Sequence, residues 1–383
     1  MRPIIIVGTG LAGYSVAKEF RKLDTETPLL FISADNGASY SKPMLSNGFA
    51  KNKATEADFV QASGLDMAKQ LHATLLSQEI VVSITPKDKT LLLASGKNIE
   101  YEKLVLAIGA DTIHIPMIGD GVKEVLSIND LWAYEKFRQQ LGKHKRIGIL
   151  GAGLIGSEFA NDMASSGYAV SVFNNAPWPL ARLLPPEAGR YFAQELERAG
   201  VQFYSENSVQ QVDLVADGLQ LTLTKGEVVV VDLLLSAVGL MPKTDLAKAS
   251  GLAVNRGIVV NAQLQSSEDH IYALGDCAEV EGLVLPFIMP IMHAARALAK
   301  TLAGTPTAVE YPAMPVMVKT PAVPTVVSPP NVGSEGQWHI ESTEKGVKAL
   351  FRSASGTLLG FALLGDAVAQ KQALSKELPA VLG

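Results

Sequence analysis

The feature that most constrains this chain is a glycine-rich pattern, G-x-G-x-x-G, which occurs once in each half of the sequence. Each copy follows an apolar run typical of a buried strand and opens a stretch with helical character. In this setting the first glycine permits a tight turn, the second lets the backbone approach a pyrophosphate, and the third packs the helix against the strand. The phosphates would then meet free N–H groups at the helix N-terminus. The two copies comprise Gly8, Thr9, Gly10, Leu11, Ala12 and Gly13, and Gly151, Ala152, Gly153, Leu154, Ile155 and Gly156.

The repetition extends beyond the glycine patterns. A later apolar strand with a glycine at or next to its end follows each copy, at 103–110 and at 233–239. A duplicated domain accounts for both repeats, and a length of 383 residues allows two or three domains. We therefore predict an α/β fold with two Rossmann-like dinucleotide-binding domains. Two such sites in one chain suggest that one cofactor passes electrons to another.

Composition narrows the class of function. A formal net charge of -5 argues against broad nucleic-acid binding. Cys277 is the only cysteine, so neither an intramolecular disulfide nor a Cys-x-x-Cys redox pair can form, and we interpret it as a small buried residue. The six histidines lack metal-ligand spacing, and no apolar run approaches the ~18 residues of a membrane span. Without a recognisable secretory signal, we expect a cytoplasmic protein with no metal site and no direct membrane insertion.

The character of the sequence changes towards its C-terminal end. A helix is expected at 292–302, and six prolines then lie between Tyr311 and Pro330. This density of proline excludes a helix and disfavours central strands. We predict that the remainder forms a small α+β domain. Its expected elements are strands at 338–340, 347–352 and 358–364 and a closing helix at 368–378.

The strands that follow the two glycine patterns end in different side chains. Ala34 and Asp35 follow the apolar run 29–32, and Asp35 has the spacing of an acid that binds a ribose 2′-hydroxyl. A solvated turn residue is the alternative for Asp35. Asn174 holds the equivalent place in the second half, and no Arg or Lys lies between it and Arg182 to bind a 2′-phosphate. We therefore favour NADH over NADPH at the second site.

Together these motifs resemble those of the FAD-dependent pyridine nucleotide-disulphide oxidoreductases, a family with two dinucleotide-binding domains. More closely, the chain is similar to the bacterial members that transfer electrons from NADH to rubredoxin. Relatives that reduce peroxide or disulfides carry a redox cysteine near 41–44, where this chain has none, so the resemblance argues against those activities. The matching stretches are 40–46, 151–162, 236–240, 271–279, 318–321 and 376–379.

The resemblance implies three domains and a direction of electron flow. An FAD-binding domain would comprise 1–112 and 244–316, an NAD-binding domain 113–243, and a C-terminal interface domain 317–383. NADH would reduce the flavin, which would return electrons singly to rubredoxin, a small iron–sulfur protein that would supply an alkane hydroxylase. The alternatives are an enzyme that reduces a ferredoxin or a nitrite-reductase component, and a non-enzymatic flavin redox sensor.

The resemblance also assigns residues to the cofactors. Val82 would contact the adenine through its backbone, and Asp276 would hydrogen-bond the ribityl or pyrophosphate part of FAD, with a strand-end cap as its alternative role. Lys42 would lie beside the flavin ring, where a cation raises the flavin potential. A solvated surface lysine is the alternative for Lys42. The other positions expected at the cofactors are Gly8 to Gly13, Ala34, Asp35, Ala107, Gly151, Gly153, Leu154, Ile155, Gly156, Glu158, Gly239, Ile288 and Lys319.

Glu158 lies two residues past the second glycine pattern. We expect it either to reach the nicotinamide or to pair with Lys42 beside the flavin, and a favourable acid at a helix N-terminus is the alternative. Lys42 and Glu158 are therefore the candidate catalytic residues, and Lys319 would approach the flavin from the C-terminal side. An acidic protein partner would require a local basic surface, for which the candidates are Lys42, Lys51, Lys53 and Lys319.

Overall fold

The structure, a computed structural model, describes residues 2–382 and contains two parallel five-stranded sheets that share the order of four strands. In the first sheet, the strand that precedes the first glycine pattern, Ile4–Val7, has a parallel partner on each side. Its four residues are buried, as expected for a central strand of a parallel sheet. Across this sheet the strands are Ile271–Ala273, Lys103–Leu106, Ile4–Val7, Leu29–Ile32 and Ala73–Leu76.

The second sheet repeats this plan. The strand before the second glycine pattern, Arg146–Leu150, again lies at the centre between two parallel partners. The duplicated α/β fold predicted from the sequence is therefore confirmed. Across the second sheet the strands are Leu126–Ser127, Leu233–Ser236, Arg146–Leu150, Ala169–Asn174 and Val201–Ser205.

The helices differ from the sequence-based expectations mainly at their ends. The helix expected at 292–302 begins at Ile288, because Pro290 occupies its first turn, where a missing N–H is tolerated. The closing helix expected at 368–378 is instead a 3₁₀ turn, Asp366–Gln370, followed by a short α-helix. The α-helices are Leu11–Arg21, Glu56–Phe59, Gly64–Gln70, Leu131–Leu141, Leu154–Ser165, Pro186–Arg198, Asp245–Ala249, Ile288–Leu302 and Lys371–Ser375, and the other 3₁₀ helices are Lys42–Asn47, Pro86–Asp88 and Asp120–Glu124.

Smaller sheets accompany the two main ones. Among them, Ala110–Thr112 pairs antiparallel with Leu240–Pro242, where the chain passes between the two halves. The predicted strands 103–110 and 233–239 are therefore shorter than expected, since each stops before its glycine. The domain boundaries at 112 and 243 stay predictions. The other small sheets contain Ser39–Tyr40 with Val60–Ala62; Val81–Thr85, Thr90–Leu93 and Asn98–Glu100; Val209–Val215, Gly218–Leu223 and Val228–Val231; and Ile258–Val260 with Ala278–Val280.

The C-terminal part contains an antiparallel five-stranded sheet. The expectation that the proline-rich stretch contributes no central strand is wrong, because Thr325–Ser328 lies between two strands of this sheet. Pro324 and Pro329 flank the strand and do not interrupt it, so its hydrogen-bonding N–H groups are kept. The strands in order are Val316–Val318, Thr325–Ser328, Leu358–Gly365, Gly346–Arg352 and Gln337–Thr343.

One hydrophobic core joins parts of the chain that are far apart in sequence. Leu45, Phe49 and Phe59 come from a segment near the first sheet, yet they pack in the same core as Phe159 of the second half and Val318 of the C-terminal sheet. This shared core fixes the segment around Lys42 against the helix that follows the second glycine pattern. Among the described residues, no helix has both the length and the apolar character needed to span a bilayer.

Candidate active site

The two glycine patterns form turns with the same backbone geometry. Gly10 and Gly153 precede their helices with φ -74° and ψ -171° in both cases. At the third glycine the chain is tightly packed: a Cβ on Gly13 would lie 2.0 Å from the Gly8 carbonyl oxygen, and a Cβ on Gly156 would lie 2.0 Å from that of Gly151. Only glycine fits at these contacts.

The second glycine of each turn faces open space. A Cβ on Gly10 or on Gly153 would meet no described atom within 4 Å. Neither helix start has a capping side chain within residues 2–382, so its first N–H groups are available to a ligand. Leu11 and Ile155, next to these glycines, are 40% and 42% exposed. Both turns therefore fit the pyrophosphate of a dinucleotide such as FAD or NADH.

Asp35 is held at the edge of the first turn by short hydrogen bonds. Its Oδ1 accepts from Ser33 Oγ at 2.6 Å and from the Gly37 N–H at 2.8 Å, while Ser33 Oγ lies 2.6 Å from Thr9 Oγ1. Oδ2 of Asp35 accepts no hydrogen bond from the described residues. Asp35 and Ala34 are exposed, so this oxygen is free to accept from a ribose hydroxyl.

Asn174 does not share this geometry. Its side chain is buried, and Nδ2 donates to the carbonyl oxygens of Ala176 at 3.0 Å and Trp178 at 3.2 Å. Ala176 also accepts from the Glu206 N–H at 3.1 Å. The amide of Asn174 therefore stabilises the loop after the strand, which is a different task from the one that Asp35 can perform.

Lys42 is exposed and lies where the chain passes between the two halves. Its Nζ donates to Asn129 Oδ1 at 3.0 Å, and Asn129 Nδ2 donates to the Ala110 carbonyl oxygen at 2.8 Å. Desolvation by the surrounding protein lowers the pKa of Lys42, while the charges of Asp276 and Asp130 oppose that shift. The structure thus brings Lys42 and Asp276 near each other, as the resemblance implies.

Asp276 follows the strand Ile271–Ala273 at the edge of the first sheet. Burial raises the pKa of its carboxyl, and the charge of Lys42 lowers it in part. The neighbouring Cys277 is fully buried, and burial raises the pKa of its thiol to about 11, so the thiol is protonated at neutral pH. A protonated, buried thiol is not positioned to act as a nucleophile.

Glu158 is buried, and the expected pairing with Lys42 is wrong. Its Oε2 lies 2.5 Å from Lys319 Nζ and accepts from Ser46 Oγ at 2.6 Å, while Oε1 accepts from the Lys319 backbone N–H at 3.1 Å. Lys319 Nζ also donates to the Pro43 carbonyl oxygen and to Ser46 Oγ at 2.6 Å. Lys42 instead donates to Asn129.

The remaining expected positions are distributed around both sheets. Val82 is 48% exposed on a strand next to the first sheet. The Ala107 carbonyl oxygen packs against Gly8, and Gly239 has φ +122°, a conformation that glycine adopts readily. Ile288, 44% exposed, opens a helix with no capping side chain among the described residues.

The expected basic surface is only partly present. Lys53 donates to the Asp58 carbonyl oxygen at 2.5 Å and its Nζ lies 5.0 Å from the centre of the Phe59 ring. Lys319 is engaged with Glu158, whereas Lys51 is exposed. Three of the four expected lysines, Lys42, Lys53 and Lys319, are therefore engaged in internal contacts.

Several residues around the candidate site were not singled out from the sequence. They are Ser33, which supports Asp35; Asn129, which binds Lys42; Ser46, which binds Glu158; and two neighbours of Glu158 on the same helix, Asn161 and Asp162. The last two were detectable, since polar residues three and four positions after Glu158 share its helix face. The others are detectable only once the chain is folded.

Sequence comparison places the chain in a family. Residues 2–301 match the family model described as pyridine nucleotide-disulphide oxidoreductase. The chain belongs to this oxidoreductase family. Residues 308–378 match a second model, described as a rubredoxin binding C-terminal domain. That match starts before the boundary expected at 317, which stays a prediction.

Relatives of this oxidoreductase family match over the full length. The chain is 49% identical over 383 residues to a rubredoxin-NAD(+) reductase from Alcanivorax borkumensis, with 100% of each chain covered. It is 45% identical to a protein of the same name from Acinetobacter baylyi, covering 98% of this chain and 97% of the relative. A ferredoxin reductase structure from Rhodopseudomonas palustris matches with a TM-score of 0.89 and 27% identity, covering 99% and 96% of the two chains.

Proposed function

We propose that this chain is an FAD flavoprotein reductase that takes electrons from NADH and passes them singly to rubredoxin. Two relatives named rubredoxin-NAD(+) reductase support this function, at 49% and 45% identity over essentially the whole chain. The match of residues 308–378 to a rubredoxin binding domain supports the same partner.

The observation that carries the proposal is the pair of equivalent turns, each with a closed third glycine and an open second glycine. One turn alone would be compatible with any dehydrogenase. Two turns in one chain allow one dinucleotide to remain bound while a second enters and leaves. The first turn, with Asp35 beside it, would hold FAD, and the second would hold NADH.

The residues around the flavin would orient and polarise it. FAD, when bound, supplies the chemistry that accepts two electrons from NADH and releases them one at a time. Lys42 would lie beside the ring, since it is held near Asp276 by Asn129. Glu158 would keep Lys319 in place through the ion pair and the backbone hydrogen bond. In this proposal Glu158 acts through Lys319, and its contact with nicotinamide is a separate prediction.

The chain's own cysteine takes no part in the electron path. Cys277 is the only cysteine and is fully buried, so electrons cannot leave through a dithiol as they do in disulfide-reducing relatives. The flavin would therefore give its electrons directly to a separate protein. Rubredoxin carries the iron centre that this chain's sequence lacks, since the chain has no cysteine cluster.

The physiological setting is a further part of the proposal. The two relatives come from Alcanivorax and Acinetobacter, and we propose that rubredoxin reduced by this chain supplies an alkane hydroxylase. We also propose that the reaction takes place in the cytoplasm, where NADH is available as a soluble donor. Growth on alkanes after deletion of the gene would test the setting independently of the enzymatic activity.

A second candidate is a ferredoxin reductase. The solved ferredoxin reductase structure has 27% identity and nearly complete coverage, so the same fold serves that partner elsewhere. The higher identity to the rubredoxin-NAD(+) reductases favours rubredoxin.

An anaerobic titration separates these candidates. The purified flavoprotein would be titrated with NADH while the visible absorbance of the flavin is followed, and rubredoxin or ferredoxin would then be added. We expect NADH to bleach the flavin and rubredoxin to restore the colour within the mixing time. Recovery with ferredoxin alone would favour the second candidate, and a flavin that NADH does not bleach would favour a redox sensor. Gly153→Ala is the control, because it should keep FAD while raising the NADH concentration required.

A further inference from the structure

The helix that follows the second glycine pattern, Leu154–Ser165, has three buried polar residues on one face besides Ser157, whose hydroxyl donates to the nearby Ala152 carbonyl oxygen. Glu158, Asn161 and Asp162 are 3%, 3% and 1% exposed. Their spacing of three and four residues places them side by side on the helix. Buried polar groups are costly unless they are paired, so the partners of all three are informative.

Each of the three binds a backbone group from another part of the chain. Glu158 accepts from the Lys319 N–H at 3.1 Å, and Asn161 Oδ1 accepts from the Ala322 N–H at 3.1 Å. Asp162 accepts from the N–H groups of Phe49 at 2.8 Å and Ala50 at 3.1 Å. One helix therefore holds both the stretch with Lys319 and the stretch that follows Lys42.

Burying the Asp162 carboxylate at this position costs stability. Burial raises the pKa of its carboxyl, and the two N–H groups, Arg138 and Lys319 offset that cost only in part. Arg138 instead donates to the Tyr134 hydroxyl at 3.3 Å, and its guanidinium lies 4.1 Å from the centre of the Phe49 ring. An apolar side chain at 162 would leave the two N–H groups unpaired, which shows what the carboxylate is needed for.

We propose that Asp162 is a positioning residue, which fixes residues 41–50, the lysine segment, so that Lys42 is held at the flavin. This inference rests on the proposed function, because it assigns Lys42 to the flavin. The lysine segment is short and stiff: the 3₁₀ helix Lys42–Asn47 leads through Gly48 directly to Phe49. Asp162 secures its C-terminal end.

The other end of the lysine segment is secured independently. Lys42 itself donates to Asn129, and Ser46 in the middle donates to Glu158. Lys319 Nζ also donates to the Pro43 carbonyl oxygen, so removing Asp162 releases one of several attachments and should not detach the segment. The expected result is a wider range of positions for the Lys42 ammonium group, with the NADH turn unchanged because Gly153 lies at the other end of the helix.

The variant that tests this is Asp162→Asn. An amide offers one acceptor oxygen, and its NH₂ group would face the second N–H, so one hydrogen bond is lost at nearly constant volume. We expect faster hydrogen exchange at Phe49 and Ala50, a more negative flavin midpoint potential, and a fall in kcat of about tenfold with KM for NADH within about twofold. The potential would be measured by reductive titration without NADH.

A second variant acts from the other side of the same contact. Ala50 follows Phe49 in a turn closed by the Asn52 N–H on the Phe49 carbonyl oxygen at 2.9 Å, a position where proline is favoured. Ala50→Pro removes one of the two donors and leaves Asp162 in place. We expect the flavin midpoint potential and kcat to fall as they do in Asp162→Asn. The logarithm of kcat should fall by about a third as much as in that variant.

Glu279→Gln is the matched control. Glu279 is also buried, at 4% exposed, and also holds a loop, since it accepts from Asn255 Nδ2 at 2.9 Å and from the N–H groups of Arg256 and Gly257. Glu279→Gln should lower the stability of the protein without shifting the flavin midpoint potential. If Asp162→Asn and Ala50→Pro raise exchange at Phe49 but leave the potential and kcat at the control values, the contact is only structural and the proposal is wrong. If NADH cannot reduce the flavin of the wild-type protein, the proposed function is wrong instead. The flavin midpoint potential of Asp162→Asn would still test the role of Asp162, because it is measured without NADH.

Discussion

The two dinucleotide-binding halves share the order of four sheet strands and the backbone of the glycine turn, but they differ at the end of the strand that follows the turn. In the first half Asp35 directs one free carboxylate oxygen outward. In the second half Asn174 turns inward and donates to the Ala176 and Trp178 carbonyl oxygens. The glycine turn is thus common to both halves, whereas the side chain beside it is an outward carboxylate in one half and an inward amide in the other.

This difference agrees with the proposed placement of the two cofactors. A flavin that stays bound through many turnovers benefits from a fixed, charged acceptor for its ribose, since a charge-assisted hydrogen bond is strong. A nicotinamide dinucleotide that must leave after each turnover needs weaker contacts. Under the proposed assignment of FAD to the first half and NADH to the second, the first half would be the permanent site and the second the exchangeable one.

The largest effect is expected at the third glycine of either turn. Gly13→Ala and Gly156→Ala each place a Cβ 2.0 Å from a backbone carbonyl oxygen, which costs about 3 kcal/mol or more because neither neighbour can move freely. We expect Gly13→Ala to be purified without FAD and Gly156→Ala to retain it. Flavin absorbance per protein after purification measures this, and equal flavin content in the two variants would show that the halves are not independent.

A smaller effect is expected at the second glycine. A Cβ on Gly10 or Gly153 meets no described atom, so Gly10→Ala and Gly153→Ala should leave the apoprotein's Tm within about 2 °C. The methyl group would occupy the space next to the phosphates. Gly10→Ala should weaken FAD binding by about tenfold or more, and Gly153→Ala should raise KM for NADH to a similar extent. Equilibrium dialysis measures the FAD affinity, and steady-state kinetics measure KM for NADH. A large fall in the Tm of either variant would show that the space beside its glycine is not open.

Exchanging the side chains at the strand ends tests the comparison directly. Asp35→Asn should weaken FAD binding by about 1.5–3 kcal/mol, since the ribose hydroxyl would then donate to a neutral amide oxygen in place of a carboxylate. Asn174→Asp should lower stability by about 1–3 kcal/mol, because a carboxylate cannot donate to the two carbonyl oxygens that the amide now serves. Urea unfolding and KM for NADH would be measured. A lower KM for NADH in Asn174→Asp, with unchanged stability, would show that Asn174 is a ribose contact after all.

The smallest effect is expected at the start of the central strand of each sheet, where the two halves have different ion pairs. In the second half, Arg146 and Lys145 donate four hydrogen bonds within 2.8 Å to Asp232, while the first half has an exposed pair of Arg2 and Glu100 at 3.0 Å. Burial opposes ionisation of Asp232, but these bonds outweigh it and hold the pKa of its carboxyl below the ordinary 3.8.

A depressed pKa means that this stabilisation is present above pH 3.8 and is lost as the pH falls through the folded-state pKa. Asp232→Asn should therefore cost about 1–2 kcal/mol at pH 7, with the difference from wild type shrinking below pH 3.8. Urea unfolding at a series of pH values measures it. Glu100→Gln, in the exposed pair, is the control and should change stability by less than about 0.5 kcal/mol at any pH.

Local sequence rules predicted the parts of the site that neighbours in sequence define. The glycine turns, the strand Leu29–Ile32 and the outward Asp35 depend on residues within one strand–turn–helix unit. The family resemblance of the whole chain is likewise confirmed. The expectation that the proline-rich stretch contributes no central strand was wrong because proline disrupts a strand only when it lies inside it, and here Pro324 and Pro329 lie at the ends.

By itself, the sequence determined that the chain has two dinucleotide turns, no dithiol and a third, C-terminal unit, because glycine spacing, cysteine count and apolar periodicity are local properties. Only the tertiary structure decided the partners of the charged residues: Glu158 with Lys319, 161 positions away, and Asp162 with Phe49, 113 positions away. Such pairs form where the shared core brings distant segments together. Burial then makes each unpaired charge costly, so the fold selects the partner.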